Sequence, residues 1–231
     1  MTKKVLFLHQ PRTGGSYFKH LVWQNCKYNN YIYVDGWEVK GRDFTKDEIQ
    51  EIINDKTYDK NVFVHQHCTG VDKETFFLSK NNGWMTVSFI RDMLDTICSV
   101  YFYHRKLPKW KWAQFHKDFY FDRSLDDFIK LNLQDKKMPW QLPSYWEEID
   151  FIGISDKQCF DAALKKMNID IHVDLDVRIN TSINKGYNHY RLEKTISEES
   201  HNLLIETEEY QRQKQLITMV KNKNIKGKEN A

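Results

Sequence analysis

Apolar residues along the chain fall into short unbroken runs separated by stretches with helical spacing. Val5–His9 is a continuous apolar run that stops just before Pro11, the pattern of a strand buried on both faces of a parallel sheet. Val62–His67 (VFVHQH), Met85–Ile90 (MTVSFI) and Phe151–Ile154 (FIGI) read as further strands. Between them, residues 16–25 predict a helix, and Asp92–Lys106 carries Leu94, Ile97, Val100 and Tyr101 at helical intervals. Lys157–Asn168 predicts another helix, and Ser197–Lys221 one long C-terminal helix opened by Ser-Glu-Glu-Ser. Strands alternating with helices imply an α/β fold around a mainly parallel sheet. The expected organisation is one domain over residues 1–221, followed by a polar solvated tail over 222–231.

Composition narrows the class. With 231 residues, 40% of them hydrophobic, the chain is long enough for a substantial core. Its net charge of +3 argues against a nucleic-acid-coating protein, though not against a local basic pocket. The cysteines Cys26, Cys68, Cys98 and Cys159 form no CxxC pair, so reduced thiols are expected rather than a disulfide framework or a structural zinc site. The opening MTKKVLFLHQPR has too short an apolar run for a signal h-region, and no stretch approaches the ~20 residues of a membrane span. A cytoplasmic protein is the expectation.

Candidate chemistry begins directly after the first strand. The loop HQPRTGGSY lies where ligands bind in open α/β sheets, beyond the carboxyl end of a strand. Gly14 and Gly15 allow close backbone approach, and the following helix start offers N–H groups and a positive dipole end. Thr13 and Ser16 add hydroxyls, and Arg12 adds a forked cation. A Pro/Gly turn would account for the glycines alone but not for Arg, Thr and Ser in the same loop. The loop lacks the Gly-Lys-Ser/Thr of an ATP-binding loop, which disfavours a nucleotide kinase. In SFIRDMLDTICSVYFYHR, Arg91 sits at a strand end and Ser99 about two helical turns later. That pair could grip a second phosphate.

Together these two segments resemble those of the sulfotransferase superfamily. HQPRTGGSY, including Tyr17, is similar to its 5′-phosphosulfate loop, and FIRDMLDTICSVYFYHR to its 3′-phosphate segment. DFIGISD resembles a later strand of the carbohydrate-sulfating members. The resemblance covers roughly residues 5–190. It implies a P-loop-like three-layer fold that binds 3′-phosphoadenosine-5′-phosphosulfate (PAPS) and moves its sulfuryl group to an acceptor hydroxyl or amine. Arg12 stands where most members carry a catalytic lysine, as in the tyrosylprotein sulfotransferases. Met93 replaces a proline and Thr96 an arginine. Lys185 and Gly186 sit where the family has a late basic loop over the 3′-phosphate, with Arg178 a further candidate.

Sulfuryl transfer needs a base for the acceptor proton and cations for charge developing on the leaving phosphate; it does not itself call for a metal. His65 and His67 point to one side of their strand, because strand side chains alternate. The His-x-His pair resembles that of the uronyl 2-O-sulfotransferases, which implies His67 as base with His65 in support. Two other readings stay open: two structural histidines, or a zinc pair for which the sequence offers no evident third ligand. The segment Lys106–Asp122 mixes basic and aromatic residues, suited either to stacking on an acidic glycan or to packing as a hinge. The expected function is transfer from PAPS to a carbohydrate or glycan-like hydroxyl. The alternative from a different class is a nucleotide-binding module without catalysis.

Overall fold

A computed structural model of the chain describes residues 2–106, 123–135, 142–174 and 196–229. It begins with β1 (Lys4–His9), α1 (Gly15–Cys26), β2 (Tyr31–Asp35), α2 (Gly36–Lys40) and α3 (Lys46–Asn54). There follow β3 (Asn61–His67), α4 (Lys73–Asn81), β4 (Met85–Ile90) and α5 (Met93–Lys106). The chain continues with α6 (Leu125–Asp135), β5 (Phe151–Ile154), α7 (Lys157–Met167), α8 (Glu198–Ile205) and α9 (Glu208–Glu229). The contacts divide it into two compact units where the sequence suggests one domain. One unit holds Met1–Ile90 with Leu142–Ile179, the other Arg91–Gln141 with Asn180–Ala231.

The first unit is built on a five-stranded sheet in the order β2-β3-β1-β4-β5, parallel at every pairing. The fold is therefore α/β with a parallel central sheet flanked by helices, as the alternation of runs implies. Helix α1 carries the chain leftward from β1 to β2, whereas α3 and α4 serve rightward crossovers. Right-handed connections put α1 on one face and α3 and α4 on the other. On the α1 face Phe7, Phe63 and Phe89, each fully buried, meet Phe18 of α1, and Phe89 also meets Phe160 of α7. Because side chains alternate along a strand, this aromatic layer continues at the carboxyl end of the sheet into His9, His65 and Asp35.

Local signals fix where elements begin and end, including some that periodicity missed. Thr45 and Glu48 form a reciprocal capping box that starts α3, and Asp72 accepts from Thr75 N–H to start α4. Asp156 caps α7, which ends at Asn168 in the left-handed region (φ 57°). Strand β2 is only five residues long, with a partly exposed centre, so its apolar run is weak.

The second unit has its own core of Met93, Ile97, Val100, Tyr101, Phe128, Ile129 and Leu204, from α5, α6 and α8. Here the expected single C-terminal helix is two. Thr207 N–H and its hydroxyl both donate to Leu204 O, and the hydroxyl accepts from Tyr210 N–H at 3.1 Å. Thr207 thereby caps α9, with Glu208 and Glu209 in its first turn, and ends the preceding helix. The expected tail does not begin at residue 222 either, because α9 runs on to Glu229. Lys and Glu are good helix formers, so polarity alone did not stop the helix. No helix among the described residues is long and apolar enough to cross a membrane. All four cysteines are buried and unbridged. Burial pushes the Cys26, Cys68 and Cys98 thiols up to about 12, so these three stay protonated at neutral pH.

Asn25, buried in the last turn of α1, fastens the segment after α7. Its Nδ2 donates to Leu21 O and Val173 O, while Oδ1 accepts from His172 N–H at 2.7 Å and Val173 N–H at 2.9 Å. Asn25→Ala leaves several backbone groups without partners, each costing about 1–3 kcal/mol. Urea unfolding is expected to show a loss of at least that size; a change of a few tenths would mean that water replaces the amide.

Candidate active site

The candidate site is assembled at the carboxyl ends of β1, β2 and β3. Parallel pairing sets His9 beside His67 and Phe7 beside His65 across β1 and β3, and Asp35 beside His65 across β2 and β3. His9 Nδ1 lies 3.0 Å from His65 Nε2, and the His9 and His67 rings stack with centroids 4.7 Å apart. One ring nitrogen from each of the three histidines lies within 4.8 Å of the others. His9 and His65 are buried, and His67 is at the rim with a quarter of its side chain exposed.

Two carboxylates bracket the cluster. His67 Nδ1 is 2.8 Å from Asp43 Oδ1, which also accepts from Trp37 Nε1 at 3.1 Å. A carboxylate only accepts, so the proton of His67 sits on Nδ1 and Nε2 presents its lone pair. His65 Nδ1 lies 3.1 Å from Asp35 Oδ2, at ion-pair distance but too poorly aligned for a good hydrogen bond. The carboxylate still favours the N–H on that side. His65 Nε2 then accepts from His9 Nδ1–H. Asp35 also accepts from Lys19 Nζ (2.8 Å), Tyr33 OH (2.9 Å) and Trp37 N–H (2.9 Å).

These contacts decide charge. Burial would raise the Asp35 carboxyl, but His65 and Lys19 outweigh it and hold it well below the usual carboxylate range. Asp43 is likewise held down, by His67 and His65 against burial. Burial lowers His9 well below an ordinary histidine, aided by neighbouring groups that would carry positive charge, His67 foremost. His65 is also lowered by burial, with Asp35 opposing. The two inner imidazoles are therefore neutral at neutral pH.

Around the loop the sequence-derived residues fare unevenly. Arg12 takes the left-handed region (φ 65°), a conformation rare for a long side chain. Thr13 is buried and its hydroxyl donates to Gln10 O at 2.7 Å. It shapes the turn instead of offering that proton to an anion. Gly14 (φ 76°) is the N-cap of α1 and has no side chain to close over the first N–H groups. A Cβ at Gly14 would strike Ser155, and one at Gly15 would overlap the His9 ring. Packing accounts for both glycines. Ser16 is partly buried, and Tyr17 has its ring 5.6 Å from Phe160.

Arg91 and Ser99 belong to the second unit, where Arg91 Nε lies 3.4 Å from Asp95 and Ser99 is buried on α5. Lys185, Gly186, Arg178 and residues 107–122 lie outside the described residues. Sequence reasoning missed His9, Asp35, Asp43 and Lys19. His9 ends its apolar run as His67 ends another, and that parallel was the available signal. Asp43 had none: it reaches His67 because the amide of Gln66 clamps Phe44 through both backbone groups (3.1 Å each).

No protein-family profile matches the sequence, and no curated protein matches it. Among solved structures, the crystal structure of mouse sulfotransferase SULT7A1 complexed with PAP is similar at 16% identity and a TM-score of 0.46. The match covers 80% of this chain, which spans 65% of the length of that protein.

The overlap of Gly15 with His9 gives a double-mutant test. Gly15→Ala alone is expected to destabilise by about 1–3 kcal/mol through overpacking, despite the better helix propensity of alanine. In a His9→Ala background the same change should be neutral or stabilising. Equal penalties in both backgrounds would separate the glycine from the imidazole.

Proposed function

We propose that this chain transfers the sulfuryl group of PAPS to a hydroxyl of a carbohydrate or glycan-like acceptor, with His67 as general base. The observation that carries the reading is the Asp43–His67 pair. It sits at the carboxyl end of β3, in register with the β1 end from which the Arg12 loop leaves. The motif resemblance of HQPRTGGSY supplies the cofactor, and the partly exposed imidazole supplies the base.

In this reading the N-terminus of α1 and the Arg12 guanidinium receive the 5′-phosphosulfate. The acceptor hydroxyl gives its proton to His67 Nε2 while its oxygen forms the new bond to sulfur. The bond from sulfur to the phosphate oxygen breaks, and adenosine 3′,5′-bisphosphate leaves with that electron pair. Asp43 keeps Nε2 directed outward and stabilises the imidazolium that results. Arg12 offsets the charge growing on the leaving oxygen; it is too basic to donate a proton, so its action is electrostatic. His9 and His65 are behind the base, which assigns them support rather than proton transfer.

Single-turnover transfer from saturating PAPS to a glycan panel tests these roles, with products identified by mass spectrometry. His67→Ala should lower the rate by about 10²–10⁴, the range of general-base catalysis, and leave affinity for adenosine 3′,5′-bisphosphate nearly unchanged. Arg12→Ala should cost about 10²–10³, with part of the loss recovered in Arg12→Lys. If the wild type transfers nothing to any hydroxyl acceptor while binding the bisphosphate, the chain is a binding module and the catalytic reading fails.

A further inference from the structure

Three imidazoles converging at the carboxyl edge of one sheet have a second chemical capacity, independent of proton transfer. We propose that His9, His65 and His67 form an exchangeable site for a divalent transition-metal ion of the zinc class. The sequence offers only the His65/His67 pair and no third ligand; the β1–β3 register supplies it in His9. One nitrogen from each ring is already within 4.8 Å of the others, and the closest pair is 3.0 Å apart. Zn–N bonds of about 2.0–2.1 Å in tetrahedral array put ligand nitrogens roughly 3.3 Å apart. Small side-chain adjustments reach that spacing without moving the strands.

The surrounding shell has the form such ligands require. Metal-bound histidines commonly direct their other ring nitrogen to a carboxylate, which fixes the tautomer and raises ligand basicity. Asp43 stands behind His67 Nδ1 at 2.8 Å and Asp35 behind His65 Nδ1 at 3.1 Å. With Nδ1 of each ring directed at a carboxylate, Nε2 is the nitrogen left for a metal. His9 joins by moving its ring proton from Nδ1 to Nε2, a tautomer change with no net loss of charge. The softness of three imidazoles selects zinc, cobalt or copper over magnesium or calcium. Three protein ligands leave a fourth position open at the rim, where His67 is exposed. That open position makes the site exchangeable rather than permanently filled.

Cation and acceptor proton would use the same His67 nitrogen, so the two occupancies exclude each other. On the transferase reading, zinc is an inhibitor that a chelator reverses. The metal site itself does not need that reading, and its test uses neither PAPS nor acceptor. The full chain, stripped by chelator and dialysed, is titrated with Co²⁺ and followed by its visible d–d absorption. One equivalent should give the intense bands of a tetrahedral ion, and Zn²⁺ should bleach them. His9→Ala and His67→Ala should abolish stoichiometric binding, and Asp43→Asn should weaken it about 10–100-fold. His67 and Asp43 are at the rim, so those variants are expected to fold, which circular dichroism verifies. Absence of stoichiometric Co²⁺ binding by the wild type overturns the proposal. So does undiminished binding by His67→Ala, which would place the ion on other histidines.

Discussion

Asp35 is a charged group with 1% of its surface exposed, and satisfying it constrains much of the first unit. Moving a carboxylate out of water costs several kcal/mol unless hydrogen bonds and opposite charge offset it. Here the offset comes from four elements at once: Lys19 from α1, Tyr33 from β2 itself, the first N–H groups of α2 through Trp37, and His65 from β3. Burial and the neighbouring carboxylate push the Tyr33 phenol far up, so it remains a donor. Each partner arrives only if its element is correctly placed. Helix α1 must lie over the strands near Lys19, α2 must start as soon as β2 ends, and β3 must pair in the observed register.

That constraint propagates outward as a sequence of fixed protons. An ionised Asp35 favours the proton of His65 on Nδ1, so Nε2 accepts from His9. The His9 ring, held on that bond and against Gly15, is the surface on which His67 stacks. The inner members are kept neutral by burial, and only His67 combines a lone pair with solvent access. Solvent access within the cluster is thereby limited to His67 at the rim.

Every strand but β2, and most long helices, were legible in the sequence because an unbroken apolar run or a helical spacing marks burial directly. Val62–His67 and Met85–Ile90 needed no tertiary information. The break at Thr207 was also present, as a threonine followed by two glutamates, but the helical spacing on either side concealed it. The loop and the His-x-His pair were legible as candidate sites. Their partners were not, because Asp35 and His9 become neighbours of His65 and His67 only through strand order, and β2-β3-β1 order is not written in any local pattern. Gln66 illustrates the difficulty. It reads as a spacer between two histidines, yet its side chain on the opposite face positions Asp43 by clamping Phe44.

The double glycine invites the most economical error. From sequence, Gly14 and Gly15 suggest room for an anion; in the structure each has a packing reason of its own. Gly14 supplies a left-handed N-cap beside Ser155, and Gly15 makes space for an imidazole. An anion cradle then depends less on missing side chains than on what the loop does with Arg12 and the end of α1. Arg12 sits at positive φ, which costs a non-glycine residue roughly 1–2 kcal/mol and persists only where the surroundings impose it. Those surroundings are the Thr13–Gln10 turn on one side and the Gly15–His9 contact on the other. His9, whose ring lies against Gly15 of the loop, is therefore the same residue that carries the stacking of the histidine cluster. The Gly15–His9 contact and the His9–His65 hydrogen bond tie the loop after β1 to the histidine cluster, so the two pack together and are not merely close.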